Sequence, residues 1–153
     1  MARDRYLMGP SGGSGGSPMF AKKGTFEDTY HYFLQLPADQ HIQSLEVRAG
    51  DLIDEIAIYY EHGRLAFGGD GGAKSSFKLG KGECITKVFG TYDEYVVTFG
   101  VKTSEGRSKE WGGHSKKGRL QYEYNIPPGF RVQGFFGNSG VFVDAVGVVI
   151  AEI

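Results

Sequence analysis

Gly140-Val141-Phe142-Val143-Asp144-Ala145-Val146-Gly147-Val148, late in the chain, repeats the pattern of Gly50-Asp51-Leu52-Ile53-Asp54-Glu55-Ile56-Ala57-Ile58. Each copy is Gly-x-x-x-Asp followed at once by a strand-like run. A second element repeats beside it. Gly12-Gly13-Ser14-Gly15-Gly16-Ser17-Pro18-Met19-Phe20 is similar to Gly68-Gly69-Asp70-Gly71-Gly72-Ala73-Lys74-Ser75-Ser76-Phe77, and a shorter Gly112-Gly113 pair stands between Trp111 and His114. Two or three copies of one supersecondary unit imply pseudo-symmetry, with equivalent loops at equivalent ends. The glycine blocks begin at 12, 68 and 112. The unit is therefore about 45–55 residues, room for a four-stranded sheet each time.

Period-two alternation dominates the rest of the chain. Ile42-Gln43-Ser44-Leu45-Glu46-Val47-Arg48 alternates imperfectly, and Asp54 to Tyr60 follows after a short break. Tyr95 to Val101 and Arg119 to Tyr124 read the same way, and Asp144 to Ile150 is β-branched and apolar enough for a buried strand. No stretch has a 3.6-residue period. Short strands between glycine-rich breaks predict an all-β sandwich, barrel or prism.

Composition agrees. The chain has 153 residues, which predicts one domain over 1–153 with a real core. Its 25 glycines are about 16% of the chain, against an average near 7%. Nine Tyr and eleven Phe beside them favour strands and tight turns over a bundle. The net charge of −1 gives no electrostatic footprint for nucleic acid or an anionic membrane. No apolar run is long enough to cross a bilayer, so no membrane insertion is expected. The N-terminal residues lack the apolar region of a secretory signal, which predicts a cytoplasmic protein or one released without a leader. Cys84, the single cysteine, reads as a small apolar residue in a strand Glu83-Cys84-Ile85.

Gly140-Val141-Phe142-Val143-Asp144 has a physical reading. The glycine permits a turn with positive φ or close backbone approach. The next two residues can point their N–H groups into a cleft, where the Asp carboxylate also aims. A carboxylate accepts from two adjacent hydroxyls while backbone N–H groups donate to their oxygens, which suits a neutral ligand with vicinal hydroxyls. Single copies of the motif are usually turns in which Asp caps its own backbone. Two copies, each with a matching glycine block, favour the binding reading.

With these residues on view, the sequence resembles the jacalin-related lectins, and among them the single-chain mannose-binding type. The resemblance runs from Gly9-Pro10-Ser11-Gly12-Gly13-Ser14-Gly15-Gly16, through Gly50 to Tyr60 and Phe67 to Gly72, then Leu79 and Gly82-Glu83. It resumes at Trp111-Gly112-Gly113 and continues through Val132-Gln133-Gly134-Phe135-Phe136-Gly137-Asn138-Ser139-Gly140 to Val149. It implies a β-prism of three four-stranded Greek-key sheets about a pseudo-threefold axis, with binding loops gathered at one end. Residues 21–39, with Phe26 to Phe33, fit the family's first hairpin only loosely.

The resemblance also implies the site. A first carbohydrate pocket takes Gly16, the backbone N–H groups of Val141 and Phe142, and the Asp144 carboxylate. A second takes Gly72, Asp51 and Leu52 through their backbone, and the Asp54 carboxylate. In the third unit Gly90-Thr91-Tyr92-Asp93-Glu94 places Glu at the fourth position, and Gly112-Gly113 lacks the second glycine pair. No third pocket is expected there. Galactose-preferring members are cut to free a glycine near the pocket. Gly16 lies within a continuous chain, which favours mannose or glucose. The partners implied are mannose-type glycans or glycoproteins, with a homo-dimer as a possible assembly. No cofactor and no calcium are expected, since protein groups hold the sugar directly.

Other chemistries fit less well. His31, His41, His62 and His114 have no metal-ligand spacing. No phosphate-binding P-loop is present. A glycosidase needs two carboxyls about 5–10 Å apart across one sugar, whereas Asp54 and Asp144 sit in separate repeats, so no catalytic residue is assigned. Trp111 suits a sugar face or the core equally, and Lys116-Lys117 reads as a solvated turn. Two alternatives stay open: a prism serving as a structural or protein-interaction module, and a galactose-preferring lectin.

Overall fold

The structure, a computed structural model, describes residues 5–18 and 41–153; the loosely matching stretch 21–39 and His31 lie outside them. The strands are β1 (Arg5–Gly12), β2 (Ser17–Pro18), β3 (Ile42–Ala49), β4 (Ile53–Tyr60), β5 (Gly63–Gly68) and β6 (Ala73–Lys78), followed by β7 (Ile85–Tyr92), β8 (Val96–Thr103), β9 (Ser108–Gly112), β10 (Leu120–Asn125), β11 (Phe130–Ser139) and β12 (Val143–Glu152). They form three four-stranded sheets in the orders β1-β12-β11-β2, β5-β4-β3-β6 and β10-β7-β8-β9, which we number I, II and III. Every pairing is antiparallel. In sheets II and III three strands run as consecutive hairpins and the fourth returns beside the first, the Greek-key path. Sheet I has the same spatial order, but its inner hairpin comes from the end of the chain and its outer strands from the beginning.

The expected strands are present, and the irregular one has a cause. In β3, Leu45, Val47 and Ala49 alternate into the core, while the register against β4 shifts between Ile42 and Ser44. A β-bulge there adds a residue and breaks the alternation. In β12 every residue from Val143 to Ala151 is buried, as a strand paired on both edges and packed on both faces should be. Strand β1 contains Pro10, whose missing N–H is tolerated because β1 is an edge strand and the register shifts there. Cys84 corrects its expected place: it precedes β7 in a loop, half-buried, with its N–H on Ser104 Oγ at 3.1 Å.

One line of aromatic rings ties the sheets together. Phe135 of sheet I meets Phe99 of sheet III edge-on, with ring centroids 5.3 Å apart. Phe99 stacks on Trp111 at 5.9 Å, and Trp111 meets Phe77 of sheet II edge-on at 6.3 Å. Trp111 is thus a core residue, 5% exposed, and no sugar platform. Tyr60 adds a polar tie from sheet II to sheet I, donating to the Gln133 carbonyl at 2.7 Å.

Candidate functional site

Three short loops repeat at one end of the prism: 50–52 between β3 and β4, 93–95 between β7 and β8, and 140–142 between β11 and β12. The same bond closes each. Gly50 N donates to Leu52 O at 3.0 Å, Asp93 N to Tyr95 O at 3.0 Å and Gly140 N to Phe142 O at 2.9 Å. The equivalent first positions are therefore Gly50, Asp93 and Gly140. The equivalent carboxylate positions are Asp54, Val97 and Asp144.

This corrects the third unit by three residues: Val97, not Glu94, stands where the other units carry Asp. The register anchored on Gly90 misleads because Gly90 serves a strand crossing. A Cβ there would lie 2.2 Å from Thr98 O and 2.6 Å from Tyr122 Oη. Gly50 and Gly140, by contrast, have open space at the Cβ position and no positive φ. The turn does not demand glycine, so Asp93 serves equally well.

The glycines that matter lie in the blocks. At Gly12, Gly68 and Gly112 a Cβ would fall 2.2, 2.1 and 2.2 Å from the carbonyl oxygens of Asp144, Asp54 and Val97, and each has a positive φ. The loop crosses its own strand where only glycine fits. Four residues on, a Cβ on Gly72 would lie 2.8 Å from Ala49 N, and one on Gly16 would lie 3.0 Å from Ser139 C. The matching crossing in unit III is Gly118, 2.6 Å from Tyr92 N. The second glycine of unit III therefore exists, displaced by a loop two residues longer. The signal for it was in the sequence, at Gly118.

Of the first set, the structure brings Gly16 against the Asp144 carboxylate. Asp144 is 5% exposed, and its Oδ1 lies 2.3 Å from where a Gly16 Cβ would stand. Beside it opens a cavity of about 390 Å³, lined in part by Ser14, Gly15, Glu94, Tyr95 and Leu120. The Phe142 ring packs edge-on against Tyr95 at 5.3 Å, and Val141 is exposed. The second set repeats the carboxylate beside a glycine loop. Asp54 is 5% exposed, with its Oδ1 3.3 Å from a Gly71 Cβ position, next to Gly72. Among the described residues, no side chain donates to either carboxylate. Nor do the N–H groups of Gly16, Gly72, Asp51, Leu52, Val141 and Phe142 bond to backbone. Burial pushes both carboxyls above their ordinary 3.8, and at Asp144 its own backbone N–H draws the other way. The fold holds two desolvated acceptors that receive no side-chain donor, Asp144 having its own backbone N–H alone.

Unit III has no such set. Val97 is 4% exposed and accepts nothing. Gly118 N donates to Thr91 Oγ1 at 2.9 Å, and Arg119 N and Nε both donate to Asp93 Oδ1, at 3.0 and 2.9 Å. Its acceptor is missing, and the N–H of Gly118, the counterpart of Gly16 and Gly72, is already occupied.

The glycine loops also touch one another in a ring. A Cβ on Gly13 would lie 2.0 Å from Glu94 O, and one on Gly69 would lie 2.2 Å from Val141 O. Gly113 N donates to Asp51 O at 3.3 Å. Loop I leans on unit III, loop II on unit I and loop III on unit II. In loops I and II this neighbour contact explains the second glycine; at Gly113 a Cβ would instead meet Thr98 Cγ2 of its own unit at 2.6 Å.

Comparison with known proteins agrees with this architecture. The family model of the jacalin-like lectin domain matches residues 8–149. Horcolin of Hordeum vulgare is 26% identical over 155 aligned residues, covering 94% of each chain. The wild-type Malaysian banana lectin structure has a TM-score of 0.73 at 24% identity, covering 99% of this chain and 100% of its own. Artocarpin complexed with Me-α-mannose has a TM-score of 0.75 at 17% identity, covering 98% of this chain and 99% of its own. With three Greek-key sheets in a prism and a family match over nearly its whole length, this chain belongs to the jacalin-like lectin domain family, whose members are non-catalytic carbohydrate-binding lectins.

Proposed function

We propose that the protein binds mannose- or glucose-type glycans at two pockets per chain, one around Asp144 and one around Asp54, and carries out no chemistry on them. The observation that carries this reading is the pair of buried carboxylates, neither with a side-chain donor among the described residues, each set under a glycine loop beside backbone N–H groups that bond to no backbone carbonyl. A sugar with vicinal hydroxyls supplies both the donors the carboxylate lacks and the acceptors those N–H groups lack. The mannose ligand in the artocarpin structure supports the sugar class. Gly16 within a continuous chain supports mannose or glucose over galactose.

Titration calorimetry with methyl α-mannoside, without added metal, tests the proposal. A pocket of a few hydrogen bonds should bind near the millimolar level, about −4 kcal/mol, with a stoichiometry near two. Useful strength on a glycan-bearing surface then comes from engaging several sites at once. Binding of galactose in preference to mannose would overturn the sugar preference. No heat with mannose, glucose or galactose would overturn the lectin reading and leave a protein-binding scaffold.

The ring of loops makes a less obvious prediction. Gly69 belongs to the block that serves pocket 2, yet it abuts Val141 O of pocket 1. Gly69→Ala drives the 140–142 loop outward and should weaken pocket 1 about tenfold, the value of one lost hydrogen bond. The measurement is mannoside affinity in an Asp54→Asn chain, where pocket 1 alone remains. Unchanged affinity would show that the loop is not held by this contact.

A further inference from the structure

Unit III carries Val97 where the other units carry Asp, and its glycine loop, longer than the other two, reaches onto the 50–52 loop. In units I and II the second glycine keeps its N–H within its own unit: Gly13 N donates to Asp144 O at 2.9 Å and Gly69 N to Asp54 O at 2.8 Å. In unit III, Gly113 N turns away from its own strand to Asp51 O, and His114 N follows onto Gly50 O, both at 3.3 Å. Ser115 completes the attachment, its Oγ donating to Asp51 Oδ1 at 2.7 Å. Pocket 1 has no counterpart to this bond. Val141 stands at the position of Asp51, 73% exposed and without a polar side-chain atom.

We infer that Ser115 is a positioning residue for pocket 2, an inference that rests on the reading of pocket 2 as a sugar site. The 50–52 loop is short and has one internal hydrogen bond, so the direction of the Asp51 and Leu52 N–H groups depends on what holds the loop from outside. The backbone bonds from Gly113 and His114 fix its carbonyls. Ser115 fixes the Asp51 side chain and draws its negative charge toward unit III. Left free, that carboxylate lies only three residues from Asp54 and competes with it for the hydroxyl donors of a ligand. The two residues by which loop III exceeds loops I and II provide the length that brings Ser115 to Asp51.

The test is methyl α-mannoside titration on two single-pocket backgrounds: Asp144→Asn, which leaves pocket 2, and Asp54→Asn, which leaves pocket 1. Each is prepared with Ser115 intact, with Ser115→Ala and with Ser115→Thr. Loss of one exposed bond to a charged acceptor should weaken pocket 2 about fivefold in Ser115→Ala. Ser115→Thr, which keeps the hydroxyl, should restore it, and pocket 1 should not change in either. Amide exchange without sugar is the second readout: residues 50–52 should exchange faster in Ser115→Ala while 140–142 do not. Unchanged pocket 2 affinity, an equal loss at both pockets, or no rescue by threonine would overturn the assignment. If the Asp144→Asn chain binds no mannoside at all, pocket 2 falls as a site and Ser115 loses its role there. Faster exchange at 50–52 would then mark a brace without a ligand.

Discussion

Phe99→Ala is expected to destabilise the fold by about 3–5 kcal/mol, a large share of the roughly 5–15 kcal/mol that holds a domain folded. Phe99 is fully buried in the middle of β8, and its ring touches both Phe135 and Trp111. Truncation removes the transfer energy of the ring and leaves a cavity where the three sheets meet. Strands paired along their whole length cannot collapse into it without breaking register. Urea unfolding reads the effect as a lower midpoint. Leu120→Ala, at a 52% exposed position, serves as the control and should stay within about 0.5 kcal/mol. A loss below about 1 kcal/mol for Phe99→Ala would mean that the ring line does not hold the sheets together.

Asp144→Asn should separate binding from stability. The substitution keeps the shape and removes the charge that accepts two hydroxyls. Pocket 1 should lose about 1.5–3 kcal/mol of binding, which at millimolar affinity puts it beyond detection and halves the stoichiometry. Stability should move the other way. Burial raises the Asp144 carboxyl above 3.8, so the folded chain holds that proton more tightly than the unfolded one. A raised acid stabilises the fold fully below 3.8, and that contribution disappears as pH climbs through the folded value. At neutral pH the ionised group therefore costs stability, and Asp144→Asn should melt at or above the wild-type temperature there. Binding by the wild type should weaken as pH falls, beginning above 3.8, because the protonated carboxyl has lost an acceptor. Thermal melts at pH 7 and a mannoside titration series down to pH 4 check both signs. Wild-type affinity in an Asp144→Asn, Asp54→Asn double variant would sink the site.

Much of the fold was legible because the inner strands carry their own signal. β3, β4, β8 and β12 alternate or run apolar over eight residues or more, since they are paired on both sides and packed against the core. The outer strands were silent for the converse reason. In β6, Ala73-Lys74-Ser75-Ser76-Phe77-Lys78, only Phe77 is buried, and the strand exists because β3 offers it a partner. The two buried Asp positions beside glycine loops were readable from residue type and spacing. The third unit was not, because its turn begins with Asp93 and its second glycine stands six residues after Gly112 instead of four. The doubled glycines were visible as a repeat, but their cause in units I and II, one approach within the unit and one to its neighbour, needed the three-dimensional ring. Ser115 had no signal at all, since its partner Asp51 lies on another sheet.

Sheet I joins the two ends of the described chain, and this gives the pockets different histories. Every group of pocket 2 lies between Asp51 and Gly72, so that pocket can assemble from short-range contacts once β3 to β6 have paired. Pocket 1 joins Gly16 to Val141, Phe142 and Asp144 across almost the full sequence, and contacts of that separation form slowly. During synthesis, which delivers the N-terminal parts first, the loop at Gly12–Gly16 must wait for β12, more than a hundred residues later. A nascent chain would bring together the Asp54 groups early, their brace when residues 113–115 arrive, and the Asp144 groups only once β12 has been made.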